Sequence, residues 1–161
     1  MKILAIDPGL EMGFAYNDEK KPKLTSGVVS LGKSKRWLGA GMPFLILKRW
    51  LITVYNENSG FDALYFEEVR RHKGTDAAHY YGGFKATIMS FCEEYKIPYE
   101  SVPVGTIKKF IVGTATTGGR STGKKKVIDA VREKGYFVED DNEADAIAIW
   151  FFAEDMNSLL I

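Results

Sequence analysis

Short apolar runs that end in charge alternate with longer segments of helical spacing along this chain. Residues 2–7, KILAID, read as a buried strand closing on an aspartate, and Pro8-Gly9 mark a turn. Residues 13–16 are a second strand, residues 20–22 another turn, and LTSGVVSL, residues 24–31, a third strand. Three strands in succession predict an antiparallel meander. Residues 32–41 form a basic loop. PFLILKRWLITVYNE, residues 43–57, places Leu47, Trp50, Leu51 and Val54 at i, i+3, i+4 and i+7, a helix with Pro43 in its first turn. FDALYFEEV, residues 61–69, is a fourth strand and again ends in carboxylates, Glu67 and Glu68. RRHKGTDAAHYYGG, residues 70–83, reads as a polar loop entering a helix that runs to about Tyr95. Residues 97–104 are a fifth strand, 105–113 a short helix, and TATTGGRSTG, residues 114–123, a Gly/Thr/Ser loop. Residues 124–135 are a basic helix stopped by Gly135, and 140–156 a helix with an acidic start and an apolar body. The order predicts an α/β protein with a five-stranded mixed sheet, three antiparallel strands then two parallel, flanked by helices.

At 161 residues the default is one domain, 1–161, with room for a sizeable core. The formal net charge of +1 conceals an uneven distribution. Between residues 101 and 128 stand Lys108, Lys109, Arg120 and Lys124 to Lys126 with no acid; residues 139–145 hold five acids and no base. Cys92 is the only cysteine, which excludes an internal disulfide and a cysteine-based zinc site and fits a reducing, cytoplasmic setting. No apolar run approaches the ~18 residues of a membrane span, and ILAI is too short for a signal peptide.

A carboxylate at the end of a hydrophobic strand is costly unless it is paired, protonated or bound to a cation. In α/β sheets, strand ends and helix starts meet at one edge, where sites form. Asp7, one of Glu67 and Glu68, Asp145, and either Asp141 or Asn142 on the same helical face can therefore converge. Strand alternation lets only one of the two glutamates face Asp7, and spacing alone does not choose it. Three or four hard oxygen ligands suit Mg²⁺ or Mn²⁺. The acids at 139–145 also suit a helix start, and an aspartate before Pro-Gly also suits a turn. Lys108, Lys109, Lys124 and Lys125 are candidate phosphate contacts beside the acids, with Arg70 and Arg71 as a second basic group. Positive charge at a helix start opposes the macrodipole, which favours a binding role for 124–126 over a merely solvated face. His72 and His79 read as surface residues, and YYGGF as packing at a helix–loop junction. An actin-type or sugar-kinase-type ATPase, which also opens with a strand, Asp and Gly, needs two such domains, and this chain is too short.

ILAIDPGLEMGFAY resembles the opening of the RuvC-type Holliday junction resolvases, and LYFEEV resembles their fourth-strand motif. The segment VPVGTIKKFIVGTATTGGRSTGKKKVIDAVRE is similar to their pair of basic helices around a Gly-containing loop. DDNEADAIAIW is similar to their closing Asp-x-x-Asp-Ala helix. The resemblance covers nearly the whole chain, and its compactness resembles a phage-type member. It implies an RNase H-like fold, a single nuclease domain, and a structure-selective endodeoxyribonuclease that cuts four-way junctions by two-metal hydrolysis, leaving a 5′-phosphate and a 3′-hydroxyl. It favours Glu67 over Glu68. It implies Asp7, Glu67, Asp145 and Asp141 as catalytic residues, and Asp7, Glu67, Asp145 and Asn142 as ligands of two Mg²⁺ ions, with Mn²⁺ as substitute. A homodimer in the cytoplasm (the host cytoplasm for a phage protein) follows from the same resemblance, because a four-way junction has two equivalent scissile strands. Two positions depart from the pattern. Asn142 stands where many members have Asp or His, and Asp141, one residue earlier, can take the role. Arg70 stands where members often carry a stacking aromatic. The competing readings are a less selective nuclease for flaps and forks and a non-catalytic DNA-binding module, the latter favoured by Asn142.

Overall fold

A computed structural model describes residues 1–32, 39–114 and 118–159. Its strands are β1 (Ile3–Asp7), β2 (Glu11–Tyr16), β3 (Thr25–Ser30), β4 (Ala63–Glu68) and β5 (Tyr99–Pro103), in the sheet order β3-β2-β1-β4-β5. β1 is antiparallel to β2 and β2 to β3; β1 and β4, and β4 and β5, are parallel. The mixed sheet expected from the sequence is present. Parallel neighbours require crossover connections, supplied by α1 (Met42–Glu57) before β4 and α2 (Thr75–Tyr95) before β5. α3 (Val104–Val112), α4 (Arg120–Glu133) and α5 (Asp141–Ser158) follow. No helix among the described residues is long and apolar enough to cross a membrane.

Strand alternation divides the core in two. Leu4 and Ile6 of β1, with Leu64 and Phe66 of β4, pack against Leu47 and Leu51 of α1 and Phe84 and Ile88 of α2. Ile3 and Ala5, with Ala63 and Tyr65, face the other way, toward Ala144, Ile147 and Ala148 of α5. The small side chains on this second face allow α5 to lie close on the central strands. The same parity, with Ala5 of β1 in register with Tyr65 of β4, decides between the two glutamates. Asp7 follows Ala5, and Glu67 follows Tyr65, so both point to the α5 face; Glu68 points to the other.

Two helices begin earlier than the sequence pattern indicates. α2 starts at Thr75, so much of the segment expected to be a polar loop is helical, and Gly82 and Gly83 lie inside the helix. A Cβ on Gly83 would lie 2.2 Å from Cε1 of Phe44. Glycine there admits the α1 ring, and that packing offsets a propensity cost of about 1 kcal/mol. α4 starts at Arg120 behind an extended Gly119, so the end of the expected Gly/Thr/Ser loop is its first turn. Lys124 is therefore a full turn inside the helix, where the macrodipole has largely faded. The dipole argument for a binding role at 124–126 loses its force. Residues 33–38 of the expected basic loop and 115–117 of the Gly/Thr/Ser loop lie outside the described residues.

Candidate active site

The site is built at the carboxyl ends of β1 and β4. Asp7 pairs across the sheet with Gly13 of β2. A Cβ on Gly13 would lie 1.8 Å from the main-chain oxygen of Asn142. The missing side chain is the notch into which the first turn of α5 fits, directly beside Asp7. The acids at the start of α5 then divide their tasks. Asp140 is the N-cap and accepts from the backbone N–H groups of Asn142 (2.8 Å) and Glu143 (3.2 Å). Glu143 accepts from the Ser26 hydroxyl on β3 at 2.7 Å. The helix-start reading thus holds for Asp140, while Asp141 and Asp145, one turn apart, are both close enough to Asp7 to perturb it.

Asp7 is only 8% exposed, and with Asn58 it makes up the buried polar or charged side chains among the described residues. Burial, then the charges of Glu67 and Asp145, raise its pKa well above the ordinary carboxylate value; a hydrogen bond with Glu67 and the charge of Asp141 add to this. Glu67 is also raised by burial, but its hydrogen bond with Asp7 and the charge of Lys108 pull it back. Burial and mutual repulsion thus favour a proton held between Asp7 and Glu67. Asp145 is pushed up to about 7 by burial first, then by Glu67 and Asp141, against Lys108 and Lys124.

These hard oxygen donors fit Mg²⁺ or Mn²⁺ by chemistry: a cation would relieve the repulsion that protons now relieve. Among the described residues, no three side chains are already arranged around one point as ligands. The reason is local. Asp7 and Glu67 bond to each other, and the Asp141 carboxylate is held by the Lys124 ammonium. A cation held by these residues would have to replace both interactions.

Of the basic residues read from the sequence, Lys108 on α3 and Lys124 on α4 reach the acids. Lys109, Lys125 and Arg71 are exposed. Arg70 is turned to the carboxylate of Glu68 at 3.2 Å. Asn142 is fixed through its main chain, with its N–H on Asp140 and its carbonyl over Gly13. Tyr81 of α2, which the sequence reading took as packing, touches the site directly. Its hydroxyl donates to the Glu67 carbonyl at 2.8 Å and accepts from the Val69 N–H at 3.1 Å. No spacing rule links a helix tyrosine to a strand residue fourteen positions earlier.

The electrostatics give a stability prediction. Raised folded-state pKa values mean that the folded chain holds protons which the unfolded chain releases, so stability falls as pH rises through the interval. For Asp145 the interval runs from 3.8, its ordinary value, to about 7. Without divalent ions, the unfolding temperature is expected to fall between pH ~4 and ~7, with Asp7 and Glu67 adding to the slope. Asp145→Asn should flatten this profile, and Mg²⁺ should raise its upper end. A profile flat across the interval would show that the acids do not share one charged environment.

No family model matches the chain, and no curated protein sequence does. Solved structures do. RuvC of T. thermophilus in complex with a Holliday junction substrate superposes with a TM-score of 0.72 at 18% identity, over 92% of this chain and 90% of that one. A second Thermus thermophilus RuvC structure gives 0.70 at 20% identity with the same coverage. The yeast mitochondrial Holliday junction resolvase Ydc2 gives 0.55 at 16% identity, over 91% of this chain and 75% of that one. The chain has the RNase H-like fold of the RuvC-type Holliday junction resolvases.

Proposed function

We propose that this protein is a divalent-cation-dependent endonuclease that cuts four-way DNA junctions, acting as a homodimer. The observation that carries the reading is the meeting of Asp7, Glu67 and Asp145, from two strands and a helix, in one proton-sharing acidic cluster flanked by Lys108 and Lys124. The fold shared with junction resolvases supports it. Asp7, Glu67 and Asp145 would hold Mg²⁺, or Mn²⁺ in its place. Asp141 is the fourth acidic side chain, and Asn142 is the alternative through its amide oxygen. Two bound ions would supply charge neutralisation at the phosphate, an activated water and a stabilised leaving oxygen.

The chain's own residues have distinct tasks in this reading. Asp7 serves as an anionic donor, any proton it shares with Glu67 passing to solvent. Lys124 leaves Asp141 for a phosphate oxygen, and Lys108 offsets the repulsion between DNA and the acids. Lys109, Lys125, Arg70 and Arg71 make outer phosphate contacts. The homodimer rests on the two equivalent strands of the substrate. The apolar surface of α2 does not require a partner, since Phe84, Ile88, Phe91 and Cys92 are used within the monomer core.

The test is a cleavage gel comparing a four-way junction, a fork, a flap and a linear duplex with Mg²⁺, alongside the solution mass by light scattering. Paired nicks confined to the junction, from a two-chain particle, are expected. Equal cutting of all four would replace the resolvase by a less selective nuclease. Binding with no cutting in either Mg²⁺ or Mn²⁺ would leave a non-catalytic module.

A further inference from the structure

Glu67 lies at the point where β4 stops and the chain leaves for α2. The β1 ladder accompanies β4 to Ile6 beside Phe66, one residue short of Glu67, and the β5 ladder continues to Glu68 beside Pro103. Beyond that, residues 69–74 carry Arg70, Arg71 and Lys73 away from the sheet. A strand end that also begins a charged connection is a poor support for a carboxylate, because movement of the connection is transmitted to the strand's last residues. Tyr81 stands at this junction. Its hydroxyl closes a bridge between the Glu67 carbonyl and the Val69 N–H. Its ring is met by the ring of His72, in the basic connection, with centroids 4.9 Å apart. The ring itself is anchored on α2, whose next turn carries buried Phe84.

We propose that Tyr81 is a positioning residue for Glu67, holding the end of β4 in register with Asp7 while the basic connection at 69–74 takes hold of DNA. The proposal rests on the nuclease reading. The bridge fixes main chain, so it acts on where the carboxylate points and leaves its charge unchanged. A tyrosine that merely filled space would act through its ring alone, and phenylalanine would replace it without loss.

The experiment uses the full chain with Tyr81→Phe, and Tyr80→Phe as the control. Tyr80 packs against Phe44 and Phe84 and, among the described residues, makes no hydrogen bond to β4. Single-turnover cleavage of a four-way junction in saturating Mg²⁺ should fall by about tenfold to a hundredfold in Tyr81→Phe, the cost of a misplaced reacting group. Junction affinity, measured without divalent ions, should stay within about twofold, because the variant removes no charge. Exchange of the Val69 amide, which loses its acceptor, should quicken in Tyr81→Phe and not in Tyr80→Phe. Cleavage by Tyr81→Phe within about twofold of the unmodified chain would overturn the proposal. So would a Val69 amide that exchanges equally in both. The amide readout needs no activity: an inert unmodified chain would sink the nuclease reading, while the exchange data would still report whether the bridge exists.

Discussion

Asp7→Asn is expected to abolish the proposed junction nicking in both Mg²⁺ and Mn²⁺ and, at the same time, to stabilise the protein when no divalent ion is present. The two effects have one origin. Asp7 is nearly sealed from solvent and surrounded by Glu67, Asp145 and Asp141, so each negative charge it carries is opposed by burial and by its neighbours. Asparagine keeps the shape and can donate to the Glu67 carboxylate, but never bears that charge. Thermal unfolding above pH ~7 should therefore shift upward in the variant, and the difference should shrink in acid, where the wild-type cluster is already protonated. In the proposed reaction, the variant would also lack the anionic donor that Asp7 offers to the cations. A rate loss of about a thousandfold or more corresponds to the several kcal/mol of charge stabilisation that bound metal supplies. Calorimetry should register a cation site in the wild type and none in Asp7→Asn. Cleavage within tenfold of wild type would remove Asp7 from the reaction. A fall in unfolding temperature above pH ~7 would mean that the buried charge is not the burden its surroundings imply.

Gly13→Ala is expected to be the most damaging single methyl group in this protein. Its Cβ would come within 1.8 Å of the Asn142 oxygen and 2.4 Å of the carbonyl carbon. Both are backbone atoms, so no rotamer change relieves the overlap and the first turn of α5 must move. Overpacking of this kind costs about 1–3 kcal/mol, measurable by urea unfolding. Function should suffer more than stability. Asp141 rides on that turn and Asp145 on the next, and a shift of about 1 Å can cost about a hundredfold in rate. The Ser26–Glu143 hydrogen bond should weaken with it. An alanine variant with wild-type stability and cleavage would show that α5 is not seated through this notch.

The alternation of β1 and β4 and the acidic start of α5 are visible in the sequence, because burial on both faces of a central sheet requires long apolar runs and a period of two. Parity ties Asp7 to Ala5 and Glu67 to Tyr65. What sequence parity cannot supply is relative register, and that alone brings Glu67 rather than Glu68 to Asp7. The early starts of α2 and α4 are hidden for a different reason. Gly82, Gly83 and Gly123 read locally as helix breakers, and only the Phe44 ring against Gly83 explains why a glycine belongs inside a helix. The Lys124–Asp141 pair and the Tyr81 bridge join elements distant along the chain or main chain to side chain, and nothing in local spacing encodes either.

The close seating of α5 on β1 and β2 also bears on when this protein acquires its chemistry. Translation delivers Asp7 early, Glu67 midway and Asp145 only with α5, the final helix described. A nascent chain halted before α5 leaves the Ala5 and Ala15 face of the sheet wet. Asp7 and Glu67, then hydrated, have neither the third carboxylate nor the dry surroundings that make the acids crave a cation. On the proposed nuclease reading, a ribosome-bound fragment would lack the assembled site, which is complete only once α5 docks on the sheet.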